Sequence, residues 1–443
     1  MTADIRPIKT AAESGLAEAF IRAKSRLPGR GDVAARRESA FRRFEAQGLP
    51  HRRVEEWKYT DLRALMRDAK PLAAPPDAAA KARAKTAGHV ADGIDARRLV
   101  FVDGAFVPEA SDLSGLEPGL SIRSLSDALA QGDAEVVARL TAPGPADTDV
   151  AAALNTAFMG DGAVIRVARH TRLAQPIHLV FVHGNEASAV FTRSVVVVEE
   201  GAALTLIESH EGPDGVDYQV NNGLDLAVGD GARLEHVKIG TEGSKALHVS
   251  TLTAQIGARA QFSDLIFTTG GAVTRNQLFV RCGGTDSELG LRGATLLKGR
   301  QHADATLVLD HAVGGCNSRE LFKSVLEDES RSVFQGKIVV QPHAQKTDAR
   351  MMTQALLLSE TAEADNKPEL EIFADDVQCG HGATAGALDD ELKFYLMARG
   401  IPEKEAESLL IQAFIGEAVD GIEHEGLKEA LMAAVVRWLE ARA

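Results

Sequence analysis

The chain has 443 residues, 45% of them hydrophobic and 25% charged, which is the composition of a globular protein with a sizeable core and not of a disordered chain. Its formal net charge of -14 repels a nucleic acid on average. No stretch approaches the roughly 18 apolar residues that span a bilayer, and residues 1–24 lack the apolar region of an export signal. We therefore expect a cytoplasmic protein that binds neither nucleic acid nor a membrane.

The N-terminal region predicts helices followed by a linker. Apolar residues recur at helical spacing between Leu16 and Ala23, and a second helix is predicted from Asp32 to Gly48. Prolines then interrupt an alanine-rich stretch that ends at about residue 95. We assign residues 1–95 to an N-terminal helical region with a linker.

From about Leu99 onward, alternating apolar and polar residues predict strands. The sequence FVDGAF at residues 101–106 is typical of a hairpin. Three similar segments begin at Gly201, Gly231 and Gly257, with a period of roughly 26 to 30 residues that indicates stacked units. A β-solenoid explains this repeat, and a β-sandwich with similar turns is the alternative.

The solenoid prediction assigns residues 96–367 to the core and gives each side chain a face. Residues one, three and five positions after each repeat glycine are expected to point inward, while Thr205, Glu235 and Gln261 face solvent.

After Pro368 the sequence predicts a return to helices, so that residues 368–443 form a C-terminal helical domain. Its last two helices carry apolar stripes that either pack the domain or bind a partner, at Ala406, Leu409, Leu410, Ala413 and Phe414, and at Leu427, Ala430, Leu431, Ala434, Val435, Trp438 and Leu439.

The most informative side chains lie in the segment ADDVQCGHGATAG at residues 374–386. Cys379 and His381 are two residues apart, so in an extended segment they project from one face and could approach one metal ion together. Because transition-metal centres usually take about four ligands, the pair is either part of a site completed from elsewhere or a buried thiol beside a hydrogen-bonded histidine. Asp375 and Asp376 are expected to form a turn or cap and not a general acid–base pair.

The three cysteines, Cys282, Cys316 and Cys379, limit the redox and metal chemistry. An odd number of widely spaced cysteines excludes a disulfide framework and fits a reducing compartment. No Cys-x-x-Cys pair occurs, which argues against a structural zinc site or a self-contained cluster. The chain is expected to supply only some of the ligands of any cluster that it helps to build.

Several catalytic motifs are missing from the sequence. It contains no phosphate-binding loop, no Gly-x-Gly-x-x-Gly, no Gly-x-Ser-x-Gly and no His-Glu-x-x-His, so we expect a non-enzyme. Solenoids also form polysaccharide lyases and hydrolases, but these need exposed aromatic platforms, and only 5% of residues here are aromatic. Trp57 and Trp438 lie outside the predicted solenoid. That enzyme class and a purely structural interaction protein without a metal role are kept as alternatives.

Several motifs are spread along the chain, namely EEWKYT (55–60), GCNSR (315–319), VFQGKI (333–338), AQKT (344–347), LLLS (356–359), KPELEI (367–372) and CGHGATAG (379–386). In this order they resemble the SufB and SufD scaffold family, which belongs to the SUF iron–sulfur cluster assembly machinery. The form of the last motif and the small number of cysteines resemble the SufD branch more than the SufB branch. Gly380 departs from the serine that relatives often have, at a side chain that is not an expected ligand.

The resemblance implies a mainly β fold, with a right-handed β-helix core flanked by N-terminal and C-terminal helical regions. It implies a non-catalytic scaffold subunit of the SufBCD complex that pairs with SufB, docks the ATPase SufC on its C-terminal helices, and forms a homodimer when isolated. It makes His381 the first and Cys379 the second candidate ligand of iron or a nascent cluster at the SufB contact, with Cys316 a distant third. The cluster or iron is transient and shared with SufB, and the resemblance leaves open whether a flavin binds the complex.

Overall fold

The computed structural model describes residues 9–142 and 144–442, so the first eight residues of the predicted N-terminal region and the last residue of the predicted C-terminal domain lie outside the described residues. The α-helices of the described part are α1 (Ala11–Ala23), α2 (Asp32–Gln47), α3 (Leu62–Leu65), α4 (Ala78–Arg83), α5 (Leu125–Ala130), α6 (Ala134–Thr141), α7 (Val150–Phe158), α8 (Asp390–Met397), α9 (Glu403–Val419) and α10 (Glu425–Glu440).

Most of the chain between these helices forms strands. They are β1 (Arg97–Val102), β2 (Ala105–Phe106), β3 (Leu120–Ser124), β4 (Ala163–Val167), β5 (Ile177–Val182), β6 (Ala189–Val198), β7 (Ala203–Glu211), β8 (Gln219–Val228), β9 (Arg233–Gly240), β10 (Leu247–Ile256), β11 (Gln261–Thr268), β12 (Val273–Cys282), β13 (Glu288–Leu297), β14 (His302–His311), β15 (Asn317–Leu326), β16 (Arg331–Val340), β17 (Asp348–Leu357), β18 (Glu363–Ile372) and β19 (Gln378–Gly386).

The strands alternate along the chain between two sheets. One sheet has ten strands in the order β19-β17-β15-β13-β11-β9-β7-β5-β1-β2, and the other has nine in the order β18-β16-β14-β12-β10-β8-β6-β4-β3. From β4 onward each strand pairs in parallel with the strand two positions away in sequence. The result is a β-solenoid of about eight turns, which confirms the predicted fold class and excludes the sandwich.

The inward positions predicted from the repeat form the core between the two sheets. Leu204, Leu234 and Phe262 are buried and stack in register on β7, β9 and β11. Gln261 faces solvent as predicted, and Thr205 is half-buried. Glu235 is buried, contrary to prediction, because the C-terminal segment covers it and the Glu423 backbone N–H donates to its Oε1 at 2.6 Å.

A left-handed residue recurs at one corner of seven successive turns. These residues are His170, Gly201, Gly231, Arg259, Asp286, Gly315 and Lys346. The third repeat therefore aligns on Arg259 and not on Gly257, as the pairing of Leu234 with Phe262 requires. Only three of the seven positions hold glycine, although glycine adopts this conformation at the lowest cost. The glycine pattern alone therefore misplaced one repeat by two residues.

Helices cover the outer faces of both sheets. Helices α1, α2 and α7 pack on the nine-stranded sheet, where Leu247 and Val249 of β10 join their apolar cluster. Trp57, from the EEWKYT motif, is buried there; its indole Nε1 donates to Asp149 at 2.8 Å, and the Arg275 guanidinium lies 3.8 Å from its ring centre. None of the described helices is long and apolar enough to cross a membrane.

The C-terminal region differs from its prediction in two ways. Strands β18 and β19 follow where helices were expected after Pro368, and Pro368 is tolerated because β18 is an edge strand. The buried stripe of α9 also differs from the predicted one, since Leu409 and Ala413 are exposed. The side chains that pack α9 and α10 on the ten-stranded sheet are Ile411, Ile415, Ala418, Val419, Leu427, Leu431, Ala434, Val435, Trp438 and Leu439.

The left-handed corner gives a test of the repeat. Gly231→Ala should lower the free energy of unfolding by about 1 kcal/mol, because the backbone there has φ +63° while no atom lies within 4 Å of the added methyl group. Urea unfolding followed by circular dichroism measures this loss. Gly144→Ala is the matched control, since Gly144 has φ -137° and an equally open surrounding. Equal stability of the two variants would contradict the role of the corner.

Candidate functional site

Cys379 and His381 lie on β19, the last strand of the ten-stranded sheet. They pair in register with Ala349 and Met351 of β17, both of which are buried in the solenoid core. The two candidate side chains therefore occupy inward-facing positions of the last turn. No further turn of the described chain covers them, because β18 and β19 end their respective sheets. The predicted shared face of the pair is thus directed toward the open end of the solenoid.

The two side chains differ in burial. Cys379 is half-buried and packs against the end of the core, and this burial raises the pKa of its thiol. His381 is exposed, and its imidazole makes no side-chain hydrogen bond to another residue of the described chain. Met351 and Met352 line the shallow cleft around the pair. The histidine is therefore available to an incoming group, while the cysteine is a neutral thiol until a cation or base removes its proton.

The open end holds too few ligands to close a metal site by itself. Within residues 9–142 and 144–442, two groups bring three potential ligand atoms within 4.8 Å of one another, and neither includes Cys379 or His381. Two protein ligands fall short of the usual number for a transition metal. Any ion or cluster held at the open end must take further ligands from another molecule.

Glu320, which the sequence reading missed, lies behind His381 inside the solenoid. It pairs in register with Met351, which in turn pairs with His381, so two strand spacings of about 4.8 Å separate the backbones of Glu320 and His381. Neither carboxylate oxygen has a hydrogen-bond partner among the described residues. Burial raises the pKa of Glu320 to about 8, so the side chain is a neutral acid at pH 7. The sequence signal that could have identified Glu320 is an acidic residue at an inward position of a repeat strand.

Asp375 and Asp376 lie in the turn that leads into β19. Lys346 forms an ion pair with Asp376, and the Lys346 backbone N–H donates to the Asp376 carbonyl at 2.6 Å. The Asp376 backbone N–H in turn donates to the Gln345 side chain at 2.9 Å. These contacts join neighbouring turns of the solenoid, which agrees with the predicted structural role of the acidic pair.

Cys316 belongs to a different cluster, inside the solenoid. It lies in the turn before β15, two strands from β19, and its potential ligand atom groups with those of Cys282 and His311. All three residues are fully buried. The neighbouring Cys282 side chain lowers the pKa of Cys316 to about 4, with a further contribution from His311, while the same interaction raises the pKa of Cys282.

A second buried cluster contains His210, Glu242 and His248. His248 Nδ1 lies 2.8 Å from Glu242, and its Nε2 accepts from Lys238 at 3.0 Å. Burial lowers the pKa of His248 to about 4, whereas His248 and Lys238 overcome the effect of burial and lower the pKa of Glu242 to about 2. His210 is held by Glu208 at 2.6 Å. This cluster is a hydrogen-bonded and charge-compensated structural network.

The chain is thus a helix-flanked β-solenoid protein that carries an imidazole and a thiol at its open end. Residues 180–414 match the family described as "SUF system FeS cluster assembly, SufBD core domain", and residues 29–179 match "SufBD protein N-terminal region". The chain therefore belongs to the SufBD family of the SUF iron–sulfur cluster assembly system.

Within this family the chain is similar to SufD, as its motifs predicted. The iron-sulfur cluster assembly protein SufD of Escherichia coli (strain K12) is 34% identical over 397 residues, which cover 88% of this chain and 89% of that protein. A SufBD family protein of Synechocystis is 31% identical over 399 residues, 87% of each chain. SufD of Bacillus subtilis (strain 168) is 28% identical over 292 residues, 64% of this chain and 66% of its own.

Alkylation tests the difference in burial among the cysteines. Iodoacetamide should modify Cys379 in the native, reduced protein and should spare Cys282 and Cys316, because Cys379 is half-buried while the other two are both 0% exposed. Since the pKa of Cys379 is raised, its thiolate is scarce at neutral pH, and the rate should keep increasing above the ordinary cysteine pKa of about 8.5. Peptide mass spectrometry measures the modification. Cys379→Ser should abolish it, and unfolded protein should react at all three sites; native modification of Cys316 would contradict the expected burial.

Proposed function

We propose that this chain is a cytoplasmic, non-catalytic scaffold subunit that pairs with a SufB-type partner and docks a SufC-type ATPase. In this proposal His381, supported by Cys379, binds iron or a nascent cluster that passes through the complex as cargo. The observation that carries the proposal is the uncovered last solenoid turn, which presents these two inward-facing side chains at an open end. The name and extent of the E. coli relative support the choice of partners.

The open end supports pairing with another solenoid. Strands β18 and β19 each keep one unpaired edge, and such edges are ready to extend a sheet with a strand from another chain. Exposed apolar side chains flank them, namely Met352, Ile372 and Phe373. A homologous subunit that docks here would cover this surface and bring its own ligands to His381. The same surface supports a homodimer when no SufB-type partner is present.

The chemistry of the pair fits iron and its clusters. Imidazole nitrogen suits iron, and thiolate is the usual ligand of iron–sulfur clusters. Binding would displace the proton that Cys379 carries at neutral pH, because a coordinated cation stabilises the thiolate. To bind a metal ion, the His381 imidazole needs only to be neutral. Since this chain provides two ligands there, the partner completes the site, and the cluster can leave when the subunits move apart.

A second exposed surface supports docking of the ATPase. Helices α9 and α10 use their apolar stripes to cover the ten-stranded sheet, which leaves those stripes unavailable to a partner. Helix α8 buries none of its side chains, and the term α8 surface is used for its exposed apolar residues together with one exposed residue of α9. The α8 surface consists of Leu392, Phe394, Tyr395, Met397 and Leu409. Because the sequence lacks a phosphate-binding loop, the proposal assigns ATP hydrolysis to such a partner.

Replacement of His381 tests the ligand role. His381→Ala should leave folding and binding of the SufB-type and SufC-type partners near wild type, because the imidazole is exposed and makes no side-chain hydrogen bond within the described chain. Cluster formation by the reconstituted complex should fall to a small fraction of wild type, and Cys379→Ser should reduce it less. Iron, sulfide and visible absorbance of the complex measure the effect.

His343→Ala is the matched control for this experiment. His343 is also exposed, on the turn that precedes β17, and it has no proposed contact with the cargo. Its replacement should leave cluster formation unchanged. A normal cluster yield with His381→Ala would make His381 a surface histidine and the chain a scaffold without a ligand role. Equal losses in both variants would point to a general effect on the complex.

The α8 surface gives a separate test of ATPase docking. Phe394→Asp should abolish retention of a SufC-type ATPase in a pull-down, because a charge at this 71% exposed ring opposes burial in an apolar interface. Ile21→Asp is the control, since Ile21 is 68% exposed on α1. Thermal unfolding of both variants should match wild type. Undiminished retention of the ATPase by Phe394→Asp would place its docking surface elsewhere.

A further inference from the structure

The interior of the solenoid contains a cluster of potential metal-ligating side chains that two neighbouring turns bring together. Cys282 ends β12 and His311 ends β14, and the two residues are partners in the parallel register. Cys316 follows a tight turn whose Gly315 has φ +77° and returns the chain toward the same point. One potential ligand atom from each residue lies within 4.8 Å of the other two, and all three residues are 0% exposed.

One ring nitrogen of His311 has a hydrogen-bond partner, and the other has none among the described residues. His311 Nε2 lies 3.1 Å from the hydroxyl of Ser318, which is itself buried. His311 Nδ1 is buried and has no hydrogen-bond partner among the described residues. When Nε2–H donates to Ser318, Nδ1 presents a lone pair, as in metal sites where an outer hydrogen bond fixes the tautomer of a ligating histidine. A buried polar atom without a partner is unusual in a native protein, and a bound ion would satisfy it.

Other contacts of the cluster are weak. Cys316 Sγ lies 3.4 Å from the Gly284 carbonyl, 3.8 Å from the Gly314 carbonyl and 3.6 Å from Ser287 Oγ. None of these contacts involves an opposite charge that would neutralise a thiolate. This distinguishes the cluster from the His210, Glu242 and His248 network, where Lys238 compensates the carboxylate.

We propose that Cys282 Sγ, His311 Nδ1 and Cys316 Sγ bind one Zn²⁺ ion inside the solenoid. Two thiolates balance the charge of the ion, so the occupied site is neutral and its burial is tolerated. Binding releases the thiol proton of Cys282 to solvent, whereas Cys316, whose pKa is lowered to about 4, is already a thiolate. In a tetrahedral site with Zn–S of about 2.3 Å and Zn–N of about 2.0 Å, ligand atoms lie about 3.5–3.8 Å apart, which is compatible with three ligand atoms that lie within 4.8 Å of one another here. Three protein ligands leave the fourth position of the ion to water.

The proposed zinc site is independent of the cargo role of His381. It is closed and lies in the core, and its ligands come from successive solenoid turns, whereas the open end offers two ligands to a partner. An ion held there would link β12, β14 and the turn before β15, and would stabilise the stacking of these turns. Because no ligand is exposed, the ion is expected to enter during folding and to exchange slowly afterwards.

Metal content of the full-length protein tests this proposal. Protein produced in zinc-supplemented minimal medium and purified without oxygen, with reductant and without chelator, should carry about one zinc per chain. X-ray absorption of this wild-type protein should show two sulfur ligands at about 2.3 Å and at least one nitrogen ligand at about 2.0 Å. Protein from cobalt-supplemented medium should show the near-ultraviolet thiolate-to-cobalt absorption. The wild-type measurements do not depend on the folding of any variant.

Variants then assign the ligands. Cys316→Ser and His311→Gln should each lose the zinc and the cobalt absorption, whereas Cys379→Ser should keep both, because Cys379 lies outside the cluster. Wild-type protein without zinc, or zinc with no sulfur ligand, would overturn the proposal. Loss of the metal in Cys379→Ser would assign it to the open end instead. A Cys282–Cys316 disulfide peptide from the same oxygen-free preparation would make the pair a redox bond and would equally overturn the zinc site.

Discussion

Parallel pairing of strands, kept in register from one solenoid turn to the next, is the interaction on which the rest of this structure depends. It stacks each inward side chain on its equivalent in the neighbouring turn, so that one buried column serves all turns. The column that contains Met351 and Glu320 ends at His381, where no further turn follows. The same regularity that builds the core therefore exposes inward-facing residues only at the end. In this fold, the end of the sheet by itself exposes the side chains of Cys379 and His381, so that no separate loop is needed to present them.

Covering helices decide which surfaces remain for partners. The N-terminal helices pack on one sheet and the last two helices on the other, so both flat faces of the solenoid are largely used within the chain. Apolar side chains stay exposed at the open end, near Ile372 and Phe373, and on the α8 surface. These two surfaces lie on different elements. In the proposed function, the open end is the surface for the homologous subunit and the α8 surface is the one for the ATPase.

Stacking also gathers residues that are remote in sequence. Cys282 and His311 are 29 positions apart, which is one solenoid turn, and they consequently become neighbours on paired strands. The lack of a Cys-x-x-Cys pair argues against a zinc site only if the ligands are close together in sequence, because a spacing motif considers local neighbours alone. In a repeat protein the relevant spacing also includes the repeat length, and Cys316 joins the cluster through a corner residue, Gly315, that reverses the chain.

The sequence by itself determined the repeat, the inward faces and the shared face of Cys379 and His381, because strand alternation and turn chemistry are local properties. The family followed separately, from the resemblance of motifs spread along the chain. It could not determine that Arg259 would replace a corner glycine, or that strands would continue past Pro368, since both depend on pairing with a preceding turn. Burial of Glu235 required a segment almost two hundred residues away. Only the tertiary structure decided which inward residues became core, which formed closed clusters and which stayed open, because that depends on whether another turn or helix covers them.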